Sequence, residues 1–377
     1  MTIEIRTHRP GDKLDDFIRL QDRVYREDGA YIAPLEFDLR NRLNPKKNPY
    51  FDHAEAIFFT AWRDGQCVGR CSAQVDRAHL EIHQDETGFF GFFDTIDDQE
   101  VAEALIEAAS GWLRSRGMKK IRGPYSLSIN DEVGVLVDGF EHPPSIMMTH
   151  ARPYQHQLLE AMGFEKAKDL YAWHYVVEEP PERAKRAHAQ ICAMPEVSFR
   201  SVDRKKMDEE VQIILEIFND AWSENWGFVP LSKAEVKKMA EDLVLILDPD
   251  IAFFVELEGR PVAVCLALPN LNEAIRDLNG KLLPFGFLKL LYRLKVKRVR
   301  SARLVILGIR RELRGVKRYG GLSTAMYVEL VRRGARAGYE TCELGWTLED
   351  NRLINLGIKA MRGKIYKTYR IYEKSLE

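Results

Sequence analysis

The stretch RRELRGVKRYGGLSTAMYVEL, Arg310–Leu330, decides how this chain is read. An apolar run, ARLVILGI (302–309), leads into it, and helix-forming residues begin at Leu322. Between them lie basic residues and glycines. Strand, basic glycine-containing turn and helix together make an anion site. The first N–H groups of a helix have no intrahelical acceptor, and its dipole adds positive potential there.

The rest of the chain narrows the choice of anion. Its 377 residues suggest two domains of roughly 150–200 residues each. A composition 45% hydrophobic and 30% charged supports packed cores and excludes a disordered chain. With a net charge of -1 the whole molecule is no polyanion binder, and no nucleic acid is expected as partner. Five scattered cysteines without a CxxC pair argue for a reducing compartment and against disulfides or a zinc site. His79 and His83 in HLEIH are spaced i, i+4, but their flanks read as strand or loop, so no metal is assigned. The start, MTIEIRTHRPGDKLDD, is charged from the outset, and no apolar run approaches ~20 residues. A cytoplasmic protein is expected.

Two halves of the chain read alike. The first runs hairpin (AIFFTAWRDGQCVGRCSAQVD, 56–76, turning at Asp64-Gly65), strand (TGFFGFFDT, 87–95), helix (97–117) and strand (KKIRGPYSLS, 119–128). The second repeats that order: hairpin (IAFFVELEGRPVAVCLALP, 251–269, turning at Glu258-Gly259), strand (302–309), helix (321–338) and strand (YETCELGWTL, 339–348). SINDE at 128–132 aligns with TLEDN at 347–351, and LLEAMGF at 158–164 with IKAMRGK at 358–364. Two copies of one α/β unit follow. A charged stretch with Pro180-Pro181, residues 176–197, reads as the linker, giving domains 1–185 and 198–377.

Within the opening stretch, Arg318-Tyr-Gly-Gly321-Leu-Ser323 fits R/Q-x-x-G-x-G/A with serine in the last small position. It resembles the acyl-CoA pyrophosphate loop of the GNAT (Gcn5-related N-acetyltransferase) superfamily, and the order of elements over 198–377 resembles it too. The resemblance implies an α/β fold of tandem GNAT-like domains. Each would have a central mixed sheet with a splayed strand pair, flanked by helices. It also implies an acyl-CoA co-substrate held by Ile309, Arg318, Gly320, Gly321, Leu322, Ser323 and Asn351. This sequence departs from the family in two places. The tyrosine usually found seven residues after the asparagine is Ile358, and Tyr366, Tyr369 and Tyr372 come later. In the first half the loop position reads FFDTIDDQE, without glycine and with Asp94, Asp97 and Asp98, which suit helix capping but repel pyrophosphate. That half is expected to keep the fold without the CoA site.

A narrower resemblance covers nearly the whole chain. GFFGFFDTIDD, GPYSLSINDEVGVLVDGF, PPSIMM, GFEKAKDLYAW, NDAWSENWGF and WTLEDN with GKIYKTYRIYEK resemble a family of two-domain bacterial proteins that includes the bacterial ceramide synthases. Those enzymes acylate a sphingoid-base amine from acyl-CoA. All histidines lie at or before His188, so carboxylates stand in as bases of the second half: Glu343 and Glu349, six apart and on one face of a regular strand. Tyr366 and Tyr369 are candidates for the acid. A strand N–H near Leu307–Ile309 would stabilise the oxyanion. Trp222, Asn225 and Trp226 in FNDAWSENWGFVP, with Asn130 and Asp131 of SINDE, are candidates to line the acceptor site. From Lys289 to Arg318 there are twelve Lys/Arg and one acid, Glu312. Leu288, Leu290, Leu291 and Leu294 are interleaved there with Lys289, Arg293, Lys295 and Lys297, which suits an anionic membrane surface and a lipid acceptor. The competing functions are a tRNA-dependent aminoacyl or peptidyl transferase of Fem type and a non-catalytic CoA-binding module.

Overall fold

Asp64-Gly65 (φ +50° and +73°) and Glu258-Gly259 (φ +50° and +80°) turn the two hairpins that the sequence suggests. Both central residues are left-handed, which matches the twist of the flanking strands. The computed structural model describes residues 2–377, the side chain of Lys295 excepted. Packing divides it into two units. One holds the residues up to Leu170, with Ile275–Leu288 and Lys367–Glu377; the other holds Tyr171–Ala274 and Lys289–Tyr366.

The first unit contains β1 (Glu4–His8), α1 (Asp15–Val24), α2 (Glu36–Arg42), β2 (Ala54–Arg63), β3 (Gln66–Asp76), α3 (Arg77–His83), β4 (Thr87–Thr95), α4 (Gln99–Arg114), β5 (Lys120–Gly123), β6 (Val135–Asp138) and α5 (Pro153–Ala161). β7 (Glu165–Val176) begins in it and ends in the second. The sheet runs β1-β2-β3-β4-β5, antiparallel except for β4 beside β5. Gly69 of β3 lies under Val101 and Leu105 of α4, and Arg70 reaches the Phe17 carbonyl of α1 at 2.8 Å. Neighbouring strand residues face opposite ways, so α4 and α1 cover the two faces.

The second unit takes up the chain with α6 (Glu182–Cys192), β8 (Val197–Ser201), α7 (Met207–Trp222), α8 (Lys233–Leu243), β9 (Ala252–Leu257), β10 (Arg260–Pro269), α9 (Leu271–Ile275), α10 (Gly286–Tyr292), β11 (Ser301–Ile309), α11 (Leu322–Ala337), β12 (Thr341–Leu348), α12 (Arg352–Ala360) and β13 (Lys364–Ser375), except that Ile275, the first three residues of α10 and β13 from Lys367 on belong to the first unit. Its strands β8-β9-β10-β11-β12 pair antiparallel except β11 with β12. Phe253, Phe254, Ala263, Val264 and Cys265 are fully buried at its centre.

Three sequence expectations change. The 176–197 stretch is no free linker, because α6 within it packs on α11. The units also do not divide at 185/198. The end of β13 pairs with β5 and β6 and so belongs to the first unit. HLEIH, expected as strand or loop, forms the short helix α3, which Asp76 caps through the N–H groups of Ala78 and His79. His79 and His83 lie ring to ring at 4.4 Å, with His79 Nε2 3.0 Å from Asp85.

Candidate active site

β11 and β12 pair only through Ser301–Leu304 and Thr341–Leu344, although both strands run on to Ile309 and Leu348. Just past the paired part, the register of β11 against β10 shifts between Leu266 and Ala267. Leu268 pairs with Arg303, and Leu266 with Ile306. The extra residue turns Arg303 and Ile306 to the same face, which regular alternation would forbid. The equivalent space of the first unit is filled. The Tyr125 N–H donates to the Phe90 carbonyl at 2.7 Å, and Gln74 donates to the Tyr125 carbonyl at 2.7 Å. A Cβ on Gly91 would lie 1.6 Å from the Tyr125 oxygen, so glycine alone permits this approach.

The two helix starts differ in the same sense. In α4 the Asp98 carboxylate accepts the Val101 N–H at 3.1 Å and pairs with Arg63 at 2.6 Å, so the chain's own anion occupies that end. In α11 the N-cap is Gly321, and no side chain caps the helix. Leu322 is buried at the first turn, with Ser323 half-buried beside it. Gly320 and Gly321 have φ of −59° and −91°, and a Cβ on Gly321 would only touch Ala187 and Ile191 of α6. Positive φ therefore does not demand these glycines. Arg318 pairs with Glu196 at 2.5 Å, so a phosphate there would exchange for that carboxylate.

The long basic turn does something that its charge alone does not reveal. Arg310 meets Glu216 at 3.0 Å and Arg311 meets Glu224 at 2.9 Å. The Arg311 N–H donates to Asp220 at 2.6 Å, and Arg314 to the Ala221 carbonyl at 2.5 Å. Three arginines thus fasten the turn to the end of α7. There Trp222 lies on β11: a Cβ on Gly308 would fall 2.5 Å from its ring. Ile309 ends that strand. Asn225 and Trp226 follow in the turn after α7, where the Asn225 N–H bonds the Trp222 carbonyl at 2.8 Å.

Glu343 and Tyr366 are brought together. Glu343 is buried, 3.1 Å from Arg303, its partner across the parallel strands, and each side chain is 4% exposed. The Tyr366 hydroxyl donates to Glu343, and Arg303 also donates to the Gly345 carbonyl at 3.0 Å. His174 is exposed, with its ring 5.7 Å from that of Tyr366. Sequence reasoning missed His174 and Arg303. His174 was counted with the first half, whereas the second unit begins at Tyr171.

The other candidates lie elsewhere. Glu349 does not share a strand face with Glu343: β12 ends at Leu348, Gly345 sits at φ +132°, and the Glu349 carbonyl accepts from Asn355 at 3.2 Å. Asn351 is the N-cap of α12, accepting the Ile354 N–H at 3.5 Å. Tyr369 is fully buried in the portion of β13 that joins the first unit, opposite Leu136. Asn130 and Asp131 are half-buried in that unit, in the turn organised by Ser128.

In the apolar-basic segment, Leu283, Phe285, Leu288 and Val296 stand more than half exposed, and Phe287, Leu291 and Tyr292 are exposed beside them. Leu290 turns inward, Leu294 is half-buried, and Arg293 is tied to the Ala274 carbonyl at 2.7 Å. Lys289 and Lys297 are exposed, while the Lys295 side chain lies outside the described residues. Among the described residues no group of three or more metal-type side chains clusters, and no helix is long and apolar enough to cross a membrane.

Comparison with known proteins accords with this architecture. The chain is 42% identical over 369 residues, 97% of its length and 95% of the relative's, to the bacterial ceramide synthase of Caulobacter vibrioides (strain NA1000 / CB15N). It is 39% identical over 376 residues to Protein YghO of Escherichia coli (strain K12), covering 99% and 95% of the two chains. No family model matches. Among solved structures, a tandem GNAT protein from the clavulanic acid biosynthesis pathway covers 100% of this chain and 99% of its own, with TM-score 0.60 at 11% identity. A GCN5-related N-acetyltransferase from Sphaerobacter thermophilus covers 100% and 96%, with TM-score 0.53 at 15% identity. At such identities these two establish the fold alone: tandem GNAT units on mixed sheets.

Proposed function

The chain belongs to the two-domain GNAT family that includes the bacterial ceramide synthases, so it is an acyltransferase, and we propose that it moves an acyl group from acyl-CoA to a sphingoid-type amine. One contrast carries the choice of donor and of unit. The helix start of α11 is uncapped by any side chain, whereas Asp98 fills the start of α4. N–H groups of residues 321–323, with the helix dipole, would take the pyrophosphate, and Arg318 would leave Glu196 for it. Asn351 would serve from its capping position at α12.

In this reading the amine nitrogen attacks the thioester carbonyl. A C–N bond forms and the C–S bond breaks. The amine loses one proton to a base, and the CoA thiolate takes up one. A strand N–H near Leu307–Ile309 would hold the oxyanion, in the part of β11 no longer paired with β12. His174 and Tyr366 are the candidates for the proton steps, with Glu343 orienting Tyr366 and Glu349 the remaining carboxylate candidate. Asn130 and Asp131 stay acceptor-side candidates, while Tyr369, expected as an alternative acid, is fully buried. The exposed Phe285, Phe287, Leu288 and Tyr292 beside Lys289 and Lys297 suit contact with an anionic membrane from the cytoplasmic side.

Two measurements test this. Calorimetry with free CoA should give one site per chain, and no binding, or two equal sites, would overturn the assignment. The protein should float with anionic phospholipid vesicles at low salt and release as salt rises. Indifference to vesicles, with activity confined to water-soluble amines, would remove the lipid acceptor.

A further inference from the structure

The cation that the acyl donor would use is already engaged. Arg318 donates to Glu196 at 2.5 Å, across 122 positions of the chain. The two partners are not equally free to move. The Glu196 side chain is 13% exposed and that of Arg318 62%. Glu196 immediately precedes β8, and its carbonyl accepts the Glu258 N–H at 2.8 Å, from the turn between β9 and β10. The Tyr319 hydroxyl stands 3.5 Å from the same carboxylate oxygen. Arg318 lies on an exposed turn and has the length to swing. When the pair opens, the arginine moves and the carboxylate stays.

The first unit shows what a complete internal anion does. Asp98 pairs with Arg63 and also caps α4 through the Val101 N–H, so one carboxylate satisfies both the cation and the helix start. Glu196 does half of this. It neutralises Arg318, while no side chain caps α11. The N–H groups there stay open to an anion, but the cation beside them has to be taken from a carboxylate. Arg310, Arg311 and Arg314 do not substitute for it, because each is held at α7.

A carboxylate so placed acts on both binding and release. An arriving phosphate must break the pair and leave the partly buried Glu196 charge without its cation, which lowers affinity. A departing phosphate frees Arg318 to return to Glu196, which helps product CoA to leave. We infer that Glu196 is a built-in competitor of the CoA phosphates, limiting how tightly the enzyme holds donor and product alike. The inference rests on the acyl-CoA reading above and adds the regulation of that site. No motif marks it: Glu196 lies in the charged stretch that reads as a linker, and the tertiary fold alone brings it to the loop.

The test is Glu196→Gln in the full-length protein, which removes the charge and keeps the shape. Free CoA should bind about fivefold tighter by calorimetry, the upper range for an exposed ion pair, and should inhibit turnover at correspondingly lower concentration. The difference should shrink as salt rises, because salt screens the competing pair of the parent as well as the phosphate contacts of both proteins. The gain should also vanish in an Arg318→Gln background, where no cation is left to compete for. Equal or weaker CoA binding in Glu196→Gln overturns the inference. So does a gain that persists undiminished without Arg318, which would mean general repulsion instead of competition for one cation. If Glu196→Gln fails to fold, Glu196→Asp, one methylene short of Arg318, decides in the same sense. CoA binding by the variant but not by the parent supports the competitor in its strongest form. If neither binds CoA, the donor reading falls and this inference falls with it.

Discussion

Replacing Glu343 by glutamine separates two roles that the sequence could not. Glu343 stands 3.1 Å from Arg303, with both side chains 4% exposed. At that distance, with an effective dielectric constant of about 20, the Coulomb attraction is about 5 kcal/mol. Burial has already taken solvation from both ions, so the pair adds less than this to stability. Its rupture still strands the Arg303 charge, which costs about 3–5 kcal/mol. Arg303 keeps its bond to the Gly345 carbonyl, which favours the lower end. Tyr366 also loses a charged acceptor. With roughly 2–4 °C per kcal/mol for a unit of this size, Glu343→Gln should melt roughly 10 °C below the parent. The companion variant Arg303→Met and the double variant complete the cycle, and the double should recover stability relative to the sum of the singles. Thermal unfolding followed by circular dichroism measures this, and steady-state kinetics at a temperature where all variants are folded measures activity. A side chain that orients Tyr366 predicts a fall in kcat that accompanies the stability loss. An unchanged melting temperature with a large fall in kcat would refute the structural pair and restore Glu343 as a free general base.

Gly321→Asp should do for α11 what Asp98 does for α4: its carboxylate caps the helix, and stability moves by only about a few tenths of a kcal/mol. CoA binding by calorimetry should weaken at least tenfold, by about that factor for each charge-assisted N–H···phosphate hydrogen bond removed. Gly308→Ala should overpack by about 1–3 kcal/mol, because its Cβ would lie 2.5 Å from the Trp222 ring, and a shift in tryptophan fluorescence should report the displaced indole. Burial works against the charge on Glu329, but Arg333 at 2.6 Å and His188 at 3.0 Å overcome it and hold that carboxyl below its usual range. A folded pKa below the unfolded one means stability fully present above about pH 4.3 and lost as pH falls through the folded value, so Glu329→Gln should flatten the acid limb of a pH–stability curve.

Much of the fold was legible because its signals are local. The hairpins follow from Asp-Gly and Glu-Gly turns between apolar runs, and their left-handed residues stand where the sequence puts them. The side-chain cap at the start of α4 was readable from TIDDQE, since a carboxylate three residues before Val101 meets its N–H in any helix that begins there. HLEIH misled because a capping aspartate just before it, Asp76, outweighed the β-like flanks. The active-site proposals were less legible. Glu343 and Tyr366 could be named, but their hydrogen bond spans twenty-three positions and needs β12 and β13 to be in place.

By itself the sequence determined the repeat, the order of elements and the position of the uncapped glycine turn, because turn chemistry, apolar period and helix capping act over a few residues. Tertiary structure decided what those residues meet. It set the bulge that turns Arg303 and Ile306 to one face, the fastening of Arg310, Arg311 and Arg314 to α7, and the nearness of His174 to Tyr366. It also assigned the end of β13 to the first unit and packed α8 on α7 through Val211, Leu215 and Val236. Strand register, charge pairing and helix packing are set by residues far apart in the chain, so no local pattern carries them.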